Sequence, residues 1–132
     1  MIGIKYNNLG MILAKLNVPE NQVSAQLGTS EYFLEGSFDD ANNYVINPGA
    51  GNAAVVSRPS FAFTINKTSI QSDGVDVCSI ANIPTGTDIF LQGTHTTISD
   101  SNLNFTTTEV GDHIMTFTCF PYMPQTITIV GY

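Results

Sequence analysis

The chain has little charge, no tryptophan and no long apolar run. Only 11% of its 132 residues are charged, and four lysines and arginines stand against eleven aspartates and glutamates. Because phosphate binding needs clustered lysine and arginine, the net charge of −7 argues against a nucleic-acid partner. No stretch approaches the ~18 apolar residues of a membrane-spanning helix, so no membrane insertion is expected.

A secretory signal is also missing from the first residues. The segment from Met1 to Tyr6 has neither the basic start nor the apolar run of a signal peptide. We therefore expect synthesis in a cytosol, where thiols are kept reduced.

The sequence contains no motif for catalysis or for a cofactor. There is no Gly-x-Ser-x-Gly motif and no glycine-rich phosphate loop, and no cysteine and histidine have the spacing of a catalytic motif. Of the two histidines, His95 is expected in an exposed loop or strand edge and His113 at a strand start, rather than as metal ligands or bases. The aspartates at 39, 40, 73 and 76 suit turn capping better than calcium binding. We therefore expect that the chain is not an enzyme and that it binds no metal and no cofactor.

Alternation of apolar and polar residues dominates the second half. Short apolar-alternating runs separated by turn residues lie at 61–70, 75–80, 89–91, 96–98, 103–105, 113–119 and 126–130. About seven short strands with regular turn signals predict an immunoglobulin-like β-sandwich. Alternation places eight side chains on the inward faces, and we expect these to be largely buried: Phe63, Ile65, Ile80, Ile89, Leu103, Met115, Phe117 and Ile127.

Two cysteines lie in this half, one in the apparent second strand and one at the end of the penultimate strand. Antibody domains carry their inter-sheet disulfide in those two strands. Cys78 and Cys119 therefore form either a bridge or two free thiols that act as small hydrophobes. The reducing compartment favours free thiols on facing sheets.

The first half is less regular. A hairpin is predicted from residues 2–5 and 12–18, with Ile12, Ala14, Leu16 and Val18 on one face. A loop is predicted at 20–30, and a second hairpin from 31–36 and 43–47 around the turn formers at 38–42. The cluster from Asn47 to Asn52 is the strongest break, and the domain boundary is placed near Pro59.

Residues 1–58 are predicted to be an N-terminal β-hairpin docking segment, and residues 59–132 the sandwich. A few paired strands are marginal in water alone, so the apolar side chains of the first segment are expected to bury against a neighbouring subunit. These side chains are Ile2, Ile4, Ile12, Leu16, Tyr32, Leu34, Tyr44 and Ile46. The loop with Phe120, Tyr122 and Met123 is a second candidate interface, unless Phe120 and Tyr122 cap the end of the core.

Several turn motifs carry a resemblance to a known class. They are Asp73-Gly74-Val75-Asp76, Ile83-Pro84-Thr85-Gly86-Thr87, Val110-Gly111-Asp112-His113 before a strand, and a last strand after Tyr122-Met123-Pro124. Together with the Tyr44-Val45 strand and Arg58-Pro59, they make residues 44–132 similar to small immunoglobulin-like domains of tailed-bacteriophage proteins encoded among tail and tail-fibre genes. That pattern usually has Tyr where this chain has His113.

The resemblance implies a structural role in a virion rather than an activity. The expected partners are other virion proteins in a multi-subunit assembly at the tail, neck or fibre region, with the chain made in the host cytoplasm. The alternatives are a module that recognises a glycan or protein on the host surface, and a capsid decoration protein.

Overall fold

The structure is a computed structural model that describes all 132 residues, and it is built from β-strands apart from two short 3-10 turns. The prediction of an all-β chain is confirmed. The chain divides into two compact units, Met1–Arg58 and Pro59–Tyr132.

The first unit contains five strands. They are β1 (Ile2–Asn7), β2 (Ile12–Asn17), β3 (Glu31–Glu35), β4 (Asn43–Ile46) and β5 (Ala54–Ser57). The first three form an antiparallel sheet in the order β2-β1-β3, and β4 pairs with β5 in a separate two-stranded sheet. The predicted N-terminal hairpin is therefore confirmed. The predicted loop after it contains the 3-10 turns Glu20–Gln22 and Ser24–Gln26.

The prediction of a second hairpin from residues 31–36 and 43–47 is wrong. Strand β3 pairs with β1, and β4 pairs with β5 across the loop that the sequence suggested as a break. That loop can close a hairpin because Asn47 and Gly49 have positive φ angles of 51° and 76°, which asparagine and glycine adopt readily.

The prediction that Ile12, Ala14 and Leu16 share one face of β2 is also wrong. Tyr6 lies opposite Ile12, whereas the preceding Lys5 lies opposite Ala14, so the register shifts between these two pairs. Residues directly opposite each other share a face, whereas the adjacent residues Lys5 and Tyr6 point to opposite faces. The bulge therefore puts Ile12 on the core face with Tyr6, and Ala14 and Leu16 on the other face.

The first unit has a hydrophobic core of its own. Ile4, Tyr6, Ile12 and Val45 are buried, and five side chains pack around them: Tyr32, Leu34, Phe38, Ala53 and Val55. The expectation that this segment lacks anything to pack on is therefore corrected, because the hairpin β4–β5 covers the inner face of the sheet through Val45 and Val55.

The second unit contains eight strands. They are β6 (Thr64–Ile65), β7 (Ser69–Ile70), β8 (Cys78–Ala81), β9 (Asp88–Leu91), β10 (Thr94–Thr97), β11 (Leu103–Phe105), β12 (Gly111–Thr118) and β13 (Gln125–Gly131). One sheet has the order β10-β9-β12-β13-β7 and the other the order β11-β8-β6. All pairs are antiparallel except β7 with β13.

The predicted strand at 61–70 is divided between the two sheets. Its first part, β6, pairs with β8 in the small sheet, and its second part, β7, pairs with β13 in the large one. The predicted strand at 75–80 starts later, at Cys78, because Asp73 holds the preceding residues in a turn.

Side chains from both sheets form one core in this unit. Ile80, Ile89, Met115, Phe117 and Ile127 are buried there, as alternation predicts. Phe63, Ile65 and Leu103 are only partly buried, because they lie in or next to β6 and β11, the edge strands of the small sheet.

Candidate functional site

The N-terminal hairpin exposes large apolar side chains at its turn and at the start of β2. Leu9 is 65% exposed, Leu13 46% and Met11 39%, although the unit has closed a core of its own. We call these three residues the hairpin tip. Clustered exposed apolar side chains of this kind usually mark an association site.

Local backbone contacts hold the hairpin tip in place. The side-chain oxygen of Asn7 accepts hydrogen bonds from the backbone N–H groups of Leu9 and Met11, each at 3.0 Å. Asparagine favours such turns because its short side chain can bond to the backbone two or more residues on. The turn therefore presents Leu9 outward in a defined conformation.

Gly10 fixes the turn to the neighbouring hairpin. Its φ is +86°, and its carbonyl oxygen accepts a 2.9 Å hydrogen bond from the backbone N–H of Val45 in β4. A Cβ atom at this position would lie 2.1 Å from the carbonyl oxygen of Val45, so only glycine fits without a backbone shift.

The hairpin tip continues into an open sheet edge. Strand β2 is an edge strand, and a shallow depression of about 100 Å³ beside Leu13 is lined by Ile12, Leu13, Ala14, Lys15 and Asp40. The bulge and Lys15 are features that limit uncontrolled strand pairing at such an edge. Recognition here would therefore depend on the tip side chains and on the opposite charges of Lys15 and Asp40.

None of the interface residues predicted from the sequence belongs to the hairpin tip. Ile4 and Ile12 were expected to meet a neighbouring subunit, which is wrong, because both are buried in the core of the unit. Leu16, Tyr32 and Tyr44 are half-buried. Ile2 is the one predicted interface residue of this unit that is exposed, at 54%.

The second predicted interface, the loop after β12, packs largely against its own unit. The ring of Tyr122 stacks on Phe61 with centroids 4.9 Å apart, and Phe61 stacks in turn on Phe63 at 4.7 Å. Phe120 and Met123 are half-buried, and the backbone N–H of Met123 donates to the carbonyl oxygen of Pro59. The loop thus caps the core with Tyr122 and presents no exposed aromatic platform.

The two cysteines are free and differ in environment. Cys78 is fully buried, and this burial raises the pKa of its thiol. Cys119 follows β12 and is half-buried, with its sulfur 3.9 Å from the carbonyl oxygen of Phe120.

The two histidines have separate settings. His95 is exposed on β10, with Nδ1 2.7 Å from a carboxylate oxygen of Asp88 and its ring next to Phe90. His113 is buried on β12, with Nε2 3.0 Å from the carbonyl oxygen of Glu109 and Nδ1 3.1 Å from the amide nitrogen of Gln92.

Asp39 and Asp73 accept backbone hydrogen bonds in turns, and Asp76 pairs with a lysine. Asp39 accepts a hydrogen bond from the backbone N–H of Asn42, and Asp73 accepts from Val75 and Asp76. These backbone donors hold the pKa of Asp73 below its usual value. Asp76 forms an ion pair with Lys67 and accepts from the backbone of Gln71, which lowers its pKa.

Sequence reasoning missed the hairpin tip. Leu9, Met11 and Leu13 alternate in the sequence, but the neighbouring pattern of Ile12, Ala14 and Leu16 predicted the apolar face of the strand instead. The sequence does contain a signal for it. Asn7-Asn8-Leu9-Gly10 is typical of a tight turn, and such turns lie at the surface, so the leucine within it is expected to be exposed.

The structure contains no helix with the length and hydrophobicity of a membrane span, and no cluster of three or more metal-ligating side chains. Comparisons with protein-family profiles, with curated proteins and with solved structures find no match for this chain.

Proposed function

We propose that this chain is a non-enzymatic structural component of a tailed-bacteriophage particle, in the tail, neck or fibre region. Residues 1–58 dock it to another virion protein through the hairpin tip, and residues 59–132 form an immunoglobulin-like domain. The proposal rests on the resemblance of the sequence motifs, on the strand order of the second unit and on the exposed hairpin tip.

The strand order of the second unit supports an immunoglobulin-like arrangement. With β6 and β7 taken as halves of one first strand, the first, second and fifth strands (β6, β8, β11) share the small sheet. The third, sixth and seventh (β9, β12, β13) share the large one. Immunoglobulin-like sandwiches distribute these six strands in the same way.

The contacts of His113 support the same arrangement. In such domains a tyrosine near the start of the sixth strand bonds back to the backbone a few residues upstream. His113 stands near the start of β12, and its Nε2 meets the carbonyl oxygen of Glu109 at 3.0 Å. A buried imidazole can thus take the part of the tyrosine hydroxyl.

The single observation that carries the docking role is the exposure of the hairpin tip. Leu9, Met11 and Leu13 are exposed to solvent. The bonds of Asn7 to the backbone of Leu9 and Met11 and the close approach of Gly10 to Val45 hold the turn in place. An apolar projection on a separately packed unit suits assembly with a partner whose surface offers an apolar pocket.

Mass spectrometry of purified phage particles tests the proposal. We expect the full chain in the particle at a copy number that matches tail, neck or fibre proteins. A copy number that matches the capsid subunits would favour capsid decoration, and absence from the particle would contradict a virion role.

A second candidate function, recognition of a host glycan, is favoured by one surface of the second unit. Phe90 is 40% exposed on the outer face of the large sheet, and its ring lies 4.5 Å from that of His95. Thr116 lies beside Phe90 in the pairing of β12 with β9. An aromatic surface with neighbouring hydroxyl groups suits a sugar ring. Binding to a glycan array that is lost in Phe90→Ala would support this function, and no binding by the wild-type chain would exclude the sugars tested.

A further inference from the structure

A cavity of about 320 Å³ opens at one side of the second unit. Its apolar wall consists of Ile89, Leu91, Leu103, Phe105 and Met115. The polar side chains at it are Gln92, Thr94 and Thr96, all of them exposed. Small-molecule sites in proteins have this composition, with an apolar lining and a few polar groups that orient the ligand.

The cavity lies where both sheets of the unit end. Strand β10 is the edge of the large sheet and β11 the edge of the small one, and both contribute lining residues. Strand β11 has only three residues, Leu103 to Phe105, so its free edge offers too few backbone groups to hold an added strand firmly. This geometry favours a compact molecule over an inserted peptide strand.

A hydrogen bond to His113 orients the amide of Gln92, one of the lining residues of the cavity. The carbonyl oxygen of Glu109 can only accept, so His113 must donate to it from Nε2. With the single ring proton on Nε2 of His113, Nδ1 accepts, and Gln92 donates to it from its own Nε2 at 3.1 Å. The amide oxygen of Gln92 remains as an oriented acceptor for a ligand.

We propose that this cavity binds a small, flat and mostly apolar molecule with one hydroxyl or amine group, such as a two-ring aromatic alcohol. The rings contact Met115, Leu91 and Phe105, and the hydroxyl donates to the amide oxygen of Gln92. This site is separate from the docking role of the hairpin tip and does not depend on it.

The volume sets the size of the ligand. An apolar cavity of about 150 Å³ accepts one benzene ring, so the present cavity has room for about two. For a ligand of ten to twelve non-hydrogen atoms, dissociation constants on the order of 10 µM to 1 mM follow from ordinary ligand efficiencies.

Titration of the full chain with 2-naphthol, followed by methyl and amide NMR, tests the proposal. We expect saturable shifts of the Met115 methyl group and of the amides of Thr94 and Thr96. Naphthalene, which lacks the hydroxyl, should bind about fivefold more weakly. Absence of saturable shifts at these positions would overturn the site, and equal affinity for the two compounds would overturn the role of Gln92.

Two variants of the same strand provide the matched comparison. Thr96→Phe places a ring at the cavity and should weaken 2-naphthol binding by about tenfold or more. Thr97→Phe places the same ring on the opposite face of β10 and should leave the affinity within about twofold. Equal affinities in the two variants would contradict the proposal.

Sedimentation analysis of the wild-type chain and of Thr96→Phe separates this ligand from a second copy of the chain. We expect Thr96→Phe to leave the oligomeric state unchanged. A wild-type oligomer that Thr96→Phe converts to monomer would mean that another copy fills the cavity, and the small-molecule site would be overturned. The 2-naphthol titration of the wild-type chain remains decisive if Thr96→Phe does not fold.

Discussion

At the scale of single residues, Phe117 is the largest fully buried side chain of the second unit. It packs against Phe63 with ring centroids 4.6 Å apart, in a row of rings that continues through Phe61 to Tyr122. We expect Phe117→Ala to lower the free energy of unfolding by roughly 3–5 kcal/mol, because it empties a large core site.

Urea-induced unfolding followed by circular dichroism measures this loss. Thr118→Ala, at the exposed neighbouring position of β12, should change the free energy by no more than about 0.5 kcal/mol. A loss below about 1 kcal/mol in Phe117→Ala would contradict the assignment of Phe117 to a close-packed core.

The two thiols should differ in reactivity. Burial removes Cys78 from solvent and raises its pKa, so its thiolate is scarce at neutral pH, whereas Cys119 is half-buried. We expect iodoacetamide to modify Cys119 in the folded chain and both cysteines in denaturant. Peptide mass mapping identifies the modified site, and faster modification of Cys78 than of Cys119 would contradict this account.

At the scale of elements, the turn between β1 and β2 depends on Gly10. An alanine there combines a positive φ with a Cβ atom against the carbonyl oxygen of Val45. We expect Gly10→Ala to destabilise the first unit by roughly 1–3 kcal/mol, the usual cost of a strained backbone position.

Amide hydrogen exchange of β1 and β4 measures this change. Gly51→Ala is the matched control, because the Cβ atom at that position meets nothing within 4 Å and the φ is not positive. Equal protection in the two variants would show that the approach of Gly10 to Val45 is not required.

The loop between β7 and β8 should respond to acid. The side chain of Lys67 and the backbone of Gln71 lower the pKa of Asp76, and the side chain of Asp76 raises the pKa of Lys67. The contacts of ionised Asp76 stabilise the fold above about pH 4. This contribution is lost as the pH falls through the pKa that Asp76 has in the folded chain. Protonated Lys67 likewise stabilises the fold below about pH 10, and this contribution is lost as the pH rises above the pKa that Lys67 has in the folded chain.

Thermal unfolding of Asp76→Asn between pH 7 and pH 3 tests this sign. We expect the difference in melting temperature from the wild type to shrink as pH falls below about 4. Thr128→Ala, which changes no ionisable group at an exposed position of β13, is the control and should lack this trend. A difference that grows on acidification would contradict the assigned direction.

Element by element, the sequence predicted where strands lie better than how they pair. The alternation in β12 and β13 gave the correct buried face, because no bulge interrupts their register. The bulge in β2 inverted the face of Ala14 and Leu16, and alternation alone contains no sign of it. The division of 61–70 between two sheets depends on contacts with β8 and β13, which are distant in sequence.

At the scale of the whole molecule, the turn cluster before Pro59 predicted the boundary at which the chain divides into two compact units. The core of the first unit was not foreseen, because it forms only when β4 and β5 close over the sheet through Val45. The cavity of the second unit was not foreseen either, because it arises from the two unpaired edges β10 and β11.

The most direct test of the docking role is the copy number of a hairpin-tip variant in purified particles, measured by quantitative mass spectrometry. We expect Leu9→Ser/Leu13→Ser to remain folded and to fall far below the wild-type copy number. The control Val75→Ser/Val110→Ser removes two apolar side chains that are 77% and 78% exposed in the second unit, and it should incorporate normally. Wild-type incorporation of the tip variant would contradict the account.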